Sequence, residues 1–464
     1  MSEALTAARA ALRDERAWLV GGAVRDRLLG RPLSDLDLVV DGDVRAAARH
    51  LALAVGGPTF ELSDTFGAWR VIGPGKRWQA DLTPLRAASI TDDLAARDFT
   101  VNAIAEPLEG GELLDPFAGG GDLQARRLRM VSDSSFTADP VRVLRLARFA
   151  CELELDPEAE TLAAAKRSAP AVAGVAQERV FAELKRILTS PRALVGLALM
   201  DDLGLTAAVL PELDGLRGVE QNHYHHRDVY GHTLEVLEHA ITLEADPGNV
   251  LGDPALGPPV AELLSEPLAD GLTRGGALRL GALLHDAAKP QTAVRSATGR
   301  IGFPGHDSVG AAVSREVLAR LKASEKLRAH VAALAQHHLR LGFMVHARPL
   351  NRRDLYRYLS ACEPVEVDVT LLTVCDRLAT RGHKAEEAIA KHLDLAREVL
   401  HAALEWRAAG RADPLVRGDE LAAELGMAPG PELGRLLGAV AEARYAGEIA
   451  SADEAVALAR TLLL

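Results

Sequence analysis

The sequence predicts an α+β protein: a small mixed sheet with helices at the N-terminal end, then helices to the C-terminus. Three observations carry this. Short β-like runs are confined to the first 120 or so residues. From about residue 123 the chain turns rich in Ala, Leu and Arg with helical spacing, broken at Pro157, Pro170, Pro191 and Pro211. Most of the histidines fall between about 220 and 385, inside further helical sequence. A chain of 464 residues is long enough for several such segments.

Taken in order, strands are expected over Ala17–Val20, Leu36–Val40, Thr59–Leu62, Ala68–Ile72 and Trp78–Leu82. The Gly21-Gly22 turn follows the first of them and opens a helix carrying Arg25 and Asp26. Four segments are expected: 1–122, a head with the sheet; 123–220, a helical neck; 221–385, a histidine-bearing helical domain; and 386–464, a tail of amphipathic helices. The Pro/Gly-rich stretch Asp246 to Gly276 reads as a surface loop. No run of 18 apolar residues occurs, so no membrane partner is expected. Cys151, Cys362 and Cys375 are few and scattered, which points to a reducing, cytoplasmic setting without a CxxC metal site. The net charge of −12 excludes a protein coated in basic charge, but not a local basic face for nucleic acid.

The chemistry concentrates first in Leu19 to Val40. Residues two apart in a strand share a face, so Asp35 and Asp37 point the same way with Leu36 and Leu38 behind them. Paired carboxylates suit a hard divalent cation such as Mg²⁺ together with substrate phosphates. A Gly-Gly turn before a helix offers bare N–H groups to an anion, and Arg25 adds a cation. Taken singly, these are an ordinary turn and an ordinary polar edge. In Asp92 to Ala103, Arg97 suits a phosphate, Asp98 a ribose hydroxyl, and Asn102 a bracing role; a capped helix start explains the same residues. In Phe136 to Phe149, Asp139 and Pro140 open a helix on which Arg142, Arg145 and Arg148 form one ridge. A rigid Asp and Arg could read a base edge.

These three runs resemble the class II tRNA nucleotidyltransferases, the family of CCA-adding enzymes and bacterial poly(A) polymerases, whose pattern is LxGGxxRD…DxD, RRDFTxNA and EDPxRxLRxxRF. The resemblance implies a nucleotidyltransferase head and a nucleotide- and tRNA-binding neck. By position it makes Asp35 and Asp37 the catalytic metal carboxylates. Gly21, Gly22, Arg25, Arg97, Asp98 and Asn102 become nucleotide contacts or their supports. Asp139 and Arg142 become the base-reading pair, with Arg145 and Arg148 as further contacts. Asp81 is a weaker candidate to assist the metal. Arg179, Lys185, Arg186 and Arg192 are expected to supply positive charge for tRNA. Ala96 stands where the family has an arginine, and Ala138 where it has a glutamate. The segment between Asp81 and Asp93 is short. Enzymes completing CCA usually hold a longer flexible loop there, so this chain resembles the CC-adding branch.

A second constellation follows. His232, the adjacent pair His285-Asp286, His306, His337-His338 and Asp376 lie in an order that resembles an HD-domain metal-dependent phosphohydrolase. The resemblance implies His232, His285, Asp286 and Asp376 around one divalent ion of unknown identity. His306 and His337, or His338, would serve a second ion. Lys289 suits a substrate phosphate, and His239 is the weaker candidate. Asn222 to Asp228 resembles the linker of nucleotidyltransferases that carry an HD domain. The expected function is addition of CMP, as CC, from CTP to tRNA, with HD-domain hydrolysis of 3′ or cyclic phosphates. The alternatives are ATP use in CCA, A or poly(A) addition, or a phosphohydrolase with an RNA-binding head. CC addition would call for a separate A-adding enzyme as partner.

Overall fold

The computed structural model describes residues 3–63, 67–221, 226–381, 385–410 and 413–463. They form two compact units, Met1–Val209 and Leu210–Leu464.

The first unit is built on a six-stranded sheet in the order β3-β4-β5-β2-β1-β6. Its strands are β1 (Ala17–Val20), β2 (Asp35–Val40), β3 (Thr59–Ser63), β4 (Ala68–Ile72), β5 (Gln79–Pro84) and β6 (Ala105–Pro107). β2 and β5 run parallel and the other neighbours antiparallel, so the sheet is mixed. β6, a three-residue Ala-Glu-Pro edge, has too little β-branched or aromatic character to stand out in sequence.

Alternation in β2 sets the site. Leu36, Leu38 and Val40 are buried on one face, while Asp35 and Asp37 are exposed on the other. Val39 shares the aspartates' face but is buried in a cluster with Trp18, Val20, Ile90 and Leu94. The Ile90–Ala95 helix therefore covers one end of this face and leaves the aspartate end open. The opposite face carries the Val44–Val55 helix, which packs on β4 and β5. Asp43 caps that helix by accepting from the Ala46 N–H at 3.0 Å, and Gly56 ends it with φ of 64°. Beyond the sheet, the Val141–Leu153 helix packs against Gln177–Thr189 and Ala193–Asp202. Phe99 meets Phe136 and Phe149 edge-on, at ring-centroid distances of 6.0 and 5.6 Å. These rings fasten the segment bearing Arg97 and Asp98 to the arginine-bearing helix.

The second unit is helical around Arg274–Leu284, every residue of which is buried. Val229–Ala245, Glu325–His337 and Glu366–Leu378 pack on it. The one charged group at its start, Arg274, is neutralised by Asp368, with Nε to Oδ1 at 3.0 Å. The stretch 246–276 departs from the expected surface loop. It holds helices Pro247–Leu251 and Gly257–Ser265 and a short hairpin, and it buries Leu251, Leu256, Val260, Leu263 and Leu264. Pro247, Pro258 and Pro259 sit in first helical turns and Gly252 is a left-handed helix end, so much of the Pro/Gly content punctuates helices. The tail helices Gly418–Leu425, Pro431–Ala446 and Ala452–Thr461 share a small core of Leu421, Leu436, Val440, Ala455 and Ala459. No described helix is long and apolar enough to cross a membrane. All three cysteines are buried and free.

Candidate functional site

The open end of the sheet gathers the carboxylates. Parallel pairing sets Asp35 beside Gln79 and Asp37 beside Asp81, so Asp81 is a third carboxylate on the same face. Gln79 Nε2 donates to Asp35 Oδ1 at 2.6 Å, and Ser34 Oγ donates to Oδ2 at 2.7 Å. Arg70, opposite Asp81 on β4, grips both its oxygens, Nε to Oδ1 at 2.6 Å and Nη2 to Oδ2 at 2.7 Å. Crowding by protein pushes the Asp37 carboxyl above the ordinary carboxylate range; Arg97 opposes this, while Asp81 and Asp35 add to it. Asp37 still has solvent access, so protein surrounds its carboxyl without sealing it. Carboxylates clustered around a raised Asp37 suit a divalent cation, and an all-oxygen donor set suits Mg²⁺.

Gly21 ties the turn to these acids. Its φ of +65° lies in the left-handed region, and a Cβ placed there would come 2.6 Å from Arg97 Nη1 and 3.7 Å from Asp37 Oδ2. Backbone turn, guanidinium and carboxylate therefore meet at one point. Arg97 is held by Asp93 at 3.2 Å. Arg25 is buried, donating to Asn102 Oδ1 at 2.7 Å and to Asp26 Oδ1 at 2.9 Å. Asn102 Nδ2 donates to Asp98 Oδ1 at 3.0 Å, and Arg145 Nη2 lies 2.9 Å from Asp98 Oδ2. Burial alone would raise the Asp98 carboxyl, but Arg145, Asn102 and the Phe99 N–H outweigh it and hold it low. Buried Arg25, Asn102 and Asp98 and half-buried Arg145 thus form one chain beneath the turn, and Asp98 acts as its hub rather than as an open acceptor.

The arginine ridge divides by depth. Arg142 donates to the carbonyls of Ala96 at 2.8 Å, Ser135 at 3.1 Å and Arg97 at 3.3 Å. Asp139 pairs with Arg179 at 2.7 Å. Arg148 differs from the expected nucleotide contact: it is 6% exposed, lies over the Phe149 ring and pairs with Glu183 at 2.8 Å. Burial lowers its pKa to about 10. Two of the expected RNA-facing groups also have acidic neighbours, Arg186 with Glu152 at 2.6 Å and Arg192 with Glu154 at 3.5 Å, while Lys185 lies over the Phe181 ring.

In the second unit five buried side chains converge. The sets His232–His285–Asp286 and Asp286–His306–His338 each bring one ligand atom per residue within 4.8 Å of the others. Asp376 Oδ1 lies 3.0 Å from His232 Nε2. His285, His306 and His338 each place Nδ1 against the carbonyl three residues earlier, at 2.9, 2.7 and 2.6 Å. Donation there leaves each Nε2 as an inward acceptor, the tautomer a metal needs. The Nε2 atoms of His306 and His338 face each other at 3.2 Å, as two acceptors would around a shared cation or proton. Mixed imidazole and carboxylate donors fit a transition ion better than Mg²⁺. Burial would push His285 down, but Asp286 outweighs it and the imidazole is raised; Asp286 is held well below the carboxylate range by His285 and Lys289. Lys289 Nζ reaches Asp286 Oδ2 at 2.6 Å and Gln221 Oε1 at 2.7 Å.

His338, not His337, joins this cluster, which corrects the expected second-ion ligand. His338 is buried and pushed down to about 4 by that burial, whereas His337 faces outward and accepts from Arg340. Helix periodicity gave a signal for this, since Leu327, Val331, Leu334 and Ala335 mark the buried side and residue 338 continues it. His239 is half-buried outside the cluster. Of the linker Asn222 to Asp228, residues 222–225 lie outside the described residues; Asp228 caps the Val229–Ala245 helix.

Comparison with known proteins places these observations in a family. Residues 17–129 match the model of the "Poly A polymerase head domain". Residues 154–216 match that of the "Probable RNA and SrmB- binding site of polymerase A", and residues 229–381 match the HD domain. An A-adding tRNA nucleotidyltransferase of Deinococcus radiodurans is 39% identical over 95% of this chain and 94% of its own length. A CC-adding tRNA nucleotidyltransferase of Thermus thermophilus is 35% identical over 95% and 92%. The fold is shared with a CCA-adding enzyme solved with CTP, at a TM-score of 0.64 and 20% identity, covering 98% of this chain and 94% of the other. With head, RNA-binding and HD models matched in succession and relatives of this identity along nearly its whole length, the chain belongs to the tRNA nucleotidyltransferase family of CCA-adding enzymes and carries an HD domain.

Proposed function

We propose that this enzyme adds CMP, as CC, from CTP to the 3′ end of tRNA, and that no nucleic-acid template directs it. The observation that carries the site assignment is the meeting of Gly21, Arg97 and Asp37, a phosphate cradle directly against metal-binding carboxylates. Bound Mg²⁺ on Asp35 and Asp37 would supply charge neutralisation at the triphosphate and a more acidic attacking hydroxyl. The Gly21-Gly22 backbone and Arg97 receive phosphate oxygens, and buried Arg25 keeps the turn in place. The tRNA 3′-oxygen forms a bond to the α-phosphorus of CTP while the bond from that phosphorus to pyrophosphate breaks. Asp139 and Arg142 present a carboxylate and a guanidinium to the incoming base, with Arg179 bracing Asp139 where the family's glutamate is replaced by Ala138. The tRNA would lie along the helix bearing Lys185 and Arg186, and on Arg192 beyond it, where phosphates compete with Glu152 and Glu154 for the arginines.

Support for CC addition comes from the connection after β5. Only residues 85–89 separate Pro84 from the Ile90–Ala95 helix, leaving no room for the longer loop expected of enzymes that complete CCA. A second reading, A addition, is favoured by the 39% identical A-adding relative. Nothing in the comparisons supports a separate A-adding partner. At the HD centre, His232, His285, Asp286 and Asp376 would hold a transition ion, which would supply a more acidic water for a 3′ or 2′,3′-cyclic phosphate, with Lys289 offering its ammonium to the phosphate. The test supplies tRNA ending at the discriminator base, tRNA ending in C, and tRNA ending in CC, each with labelled CTP or ATP. CC addition labels the first with two C and the second with one, and leaves the third unchanged. Labelling of the third by ATP alone would replace it with A addition.

A further inference from the structure

The sheet face that carries the carboxylates continues past Asp35 toward β3. Register places Phe60 opposite Arg70, and Arg70 opposite Asp81, so Phe60 shares the face of Asp37 and Asp81. Ile72 lies opposite Gln79 and shares it too. A cleft of about 770 Å³ joins them: its lining includes Asp35, Gln79, Ile72, Phe60, Pro58 and Lys76. That volume is in the range that holds a nucleotide-sized ligand. Phe60 is 46% exposed, unusual for a phenylalanine on a sheet face. Lys76 stands at the rim on a left-handed turn, with φ of 58°, and has no ion-pair partner among the described residues.

The chemistry says what should approach from this side. The phosphate cradle, Gly21 and Gly22, follows β1, on one side of β2. In phosphoryl transfer the attacking and leaving oxygens lie roughly in line. With pyrophosphate departing on the β1 side, the attacking hydroxyl must arrive from the β5, β4 and β3 side. We propose that the cleft between Asp35 and Phe60 seats the single-stranded 3′-terminal nucleotides of the RNA acceptor, with Phe60 stacking on a base and Lys76 meeting a backbone phosphate. This rests on the tRNA-extending reading. An aromatic face and a lone cation at the edge of a groove are the usual means of holding single strands without reading sequence. A sequence-tolerant seat also suits an acceptor whose last base differs from one tRNA to the next and from one addition to the next.

Four proteins test this: wild type, Phe60→Ala, Phe60→Trp and Lys76→Gln. Single-turnover CMP transfer is measured against tRNA concentration, and CTP binding is measured separately without RNA. Phe60→Ala should lower kcat/KM for tRNA about 5- to 100-fold, by the worth of one base–aromatic stack. Phe60→Trp should restore it, Lys76→Gln should raise KM for tRNA about 3- to 10-fold, and CTP affinity should stay constant throughout. A photoreactive 5-iodopyrimidine at the acceptor's last position should cross-link to Phe60. Wild-type kinetics in Phe60→Ala, or cross-linking only to the neck helices, overturns the seat while leaving tRNA extension standing. Wild-type protein that transfers nothing to any tRNA overturns the tRNA-extending reading, and the seat with it.

Discussion

At the scale of single residues, Asp98 shows how much of the nucleotide site is support. Its buried carboxylate takes N–H groups from the buried Asn102 and Phe99 and the charge of the half-buried Arg145. Because its folded pKa is held below the unfolded value near 3.9, the stabilisation is present above that pH and is lost as pH falls through the folded value. Asp98→Asn should lower stability at pH 7 by about 1–3 kcal/mol, since the half-buried Arg145 loses its charge partner. It should also flatten the loss of stability between pH 5 and 2. Urea unfolding across that range reads both, and parallel curves for the two proteins would contradict the assignment. Asp139 makes a second case. Arg179→Ala frees its carboxylate, so kcat/KM for CTP should fall roughly tenfold, about 1.4 kcal/mol, by loss of one charge-assisted contact. Unchanged discrimination between CTP and ATP in that variant would argue that Asp139 does not read the base.

Residue types alone could place Asp35 and Asp37 together, because a strand's period of two needs no tertiary information. They could not reveal that Arg148 points inward while Arg142 stays half-exposed, although both lie on the same three-residue ridge. That outcome depends on Glu183, which comes from a helix far along the chain and offers Arg148 a buried partner. Nor could residue types place Asp81 beside Asp37, because that nearness comes from the register of β2 against β5, which no local pattern encodes.

At the scale of elements, the Glu325–His337 helix decides which of two adjacent histidines is a ligand. Its buried positions continue to residue 338 and turn residue 337 outward. His338→Ala should therefore lower metal content at the HD centre and cut phosphohydrolysis at least about tenfold, while His337→Ala leaves both near wild type. Metal analysis of the purified variants, with hydrolysis of a 2′,3′-cyclic phosphate, checks this; equal effects of the two changes would contradict it. The stretch 246–276 teaches the converse lesson. Proline and glycine suggest a loop there, yet Pro247, Pro258 and Gly252 mark helix starts and an end, and the intervening Leu251, Val260, Leu263 and Leu264 are buried. Composition averaged over thirty residues hid a period that single positions carry.

At the scale of the whole molecule, two constellations of different donor chemistry occupy the two compact units. Oxygen donors on the sheet suit Mg²⁺ and phosphate transfer, and imidazoles among the helices suit a transition ion. The two activities should separate by mutation. Asp37→Asn should abolish nucleotide addition, by a factor of about 10³ or more, and leave cyclic-phosphate hydrolysis intact; Asp286→Ala should do the reverse. The fold class was visible from where strands, arginines and histidines fall. The choice of nucleotide was less so, because it rests on a short connection after β5 and on a helix whose family glutamate is Ala138.

The most direct test is the intact mass of a tRNA ending at its discriminator base, after incubation with the enzyme, Mg²⁺ and all four nucleoside triphosphates. The account predicts a gain of two cytidylates and no adenylate, absent with Asp37→Asn. A gain that ends in adenylate, or no gain at all with the wild-type protein, would contradict it.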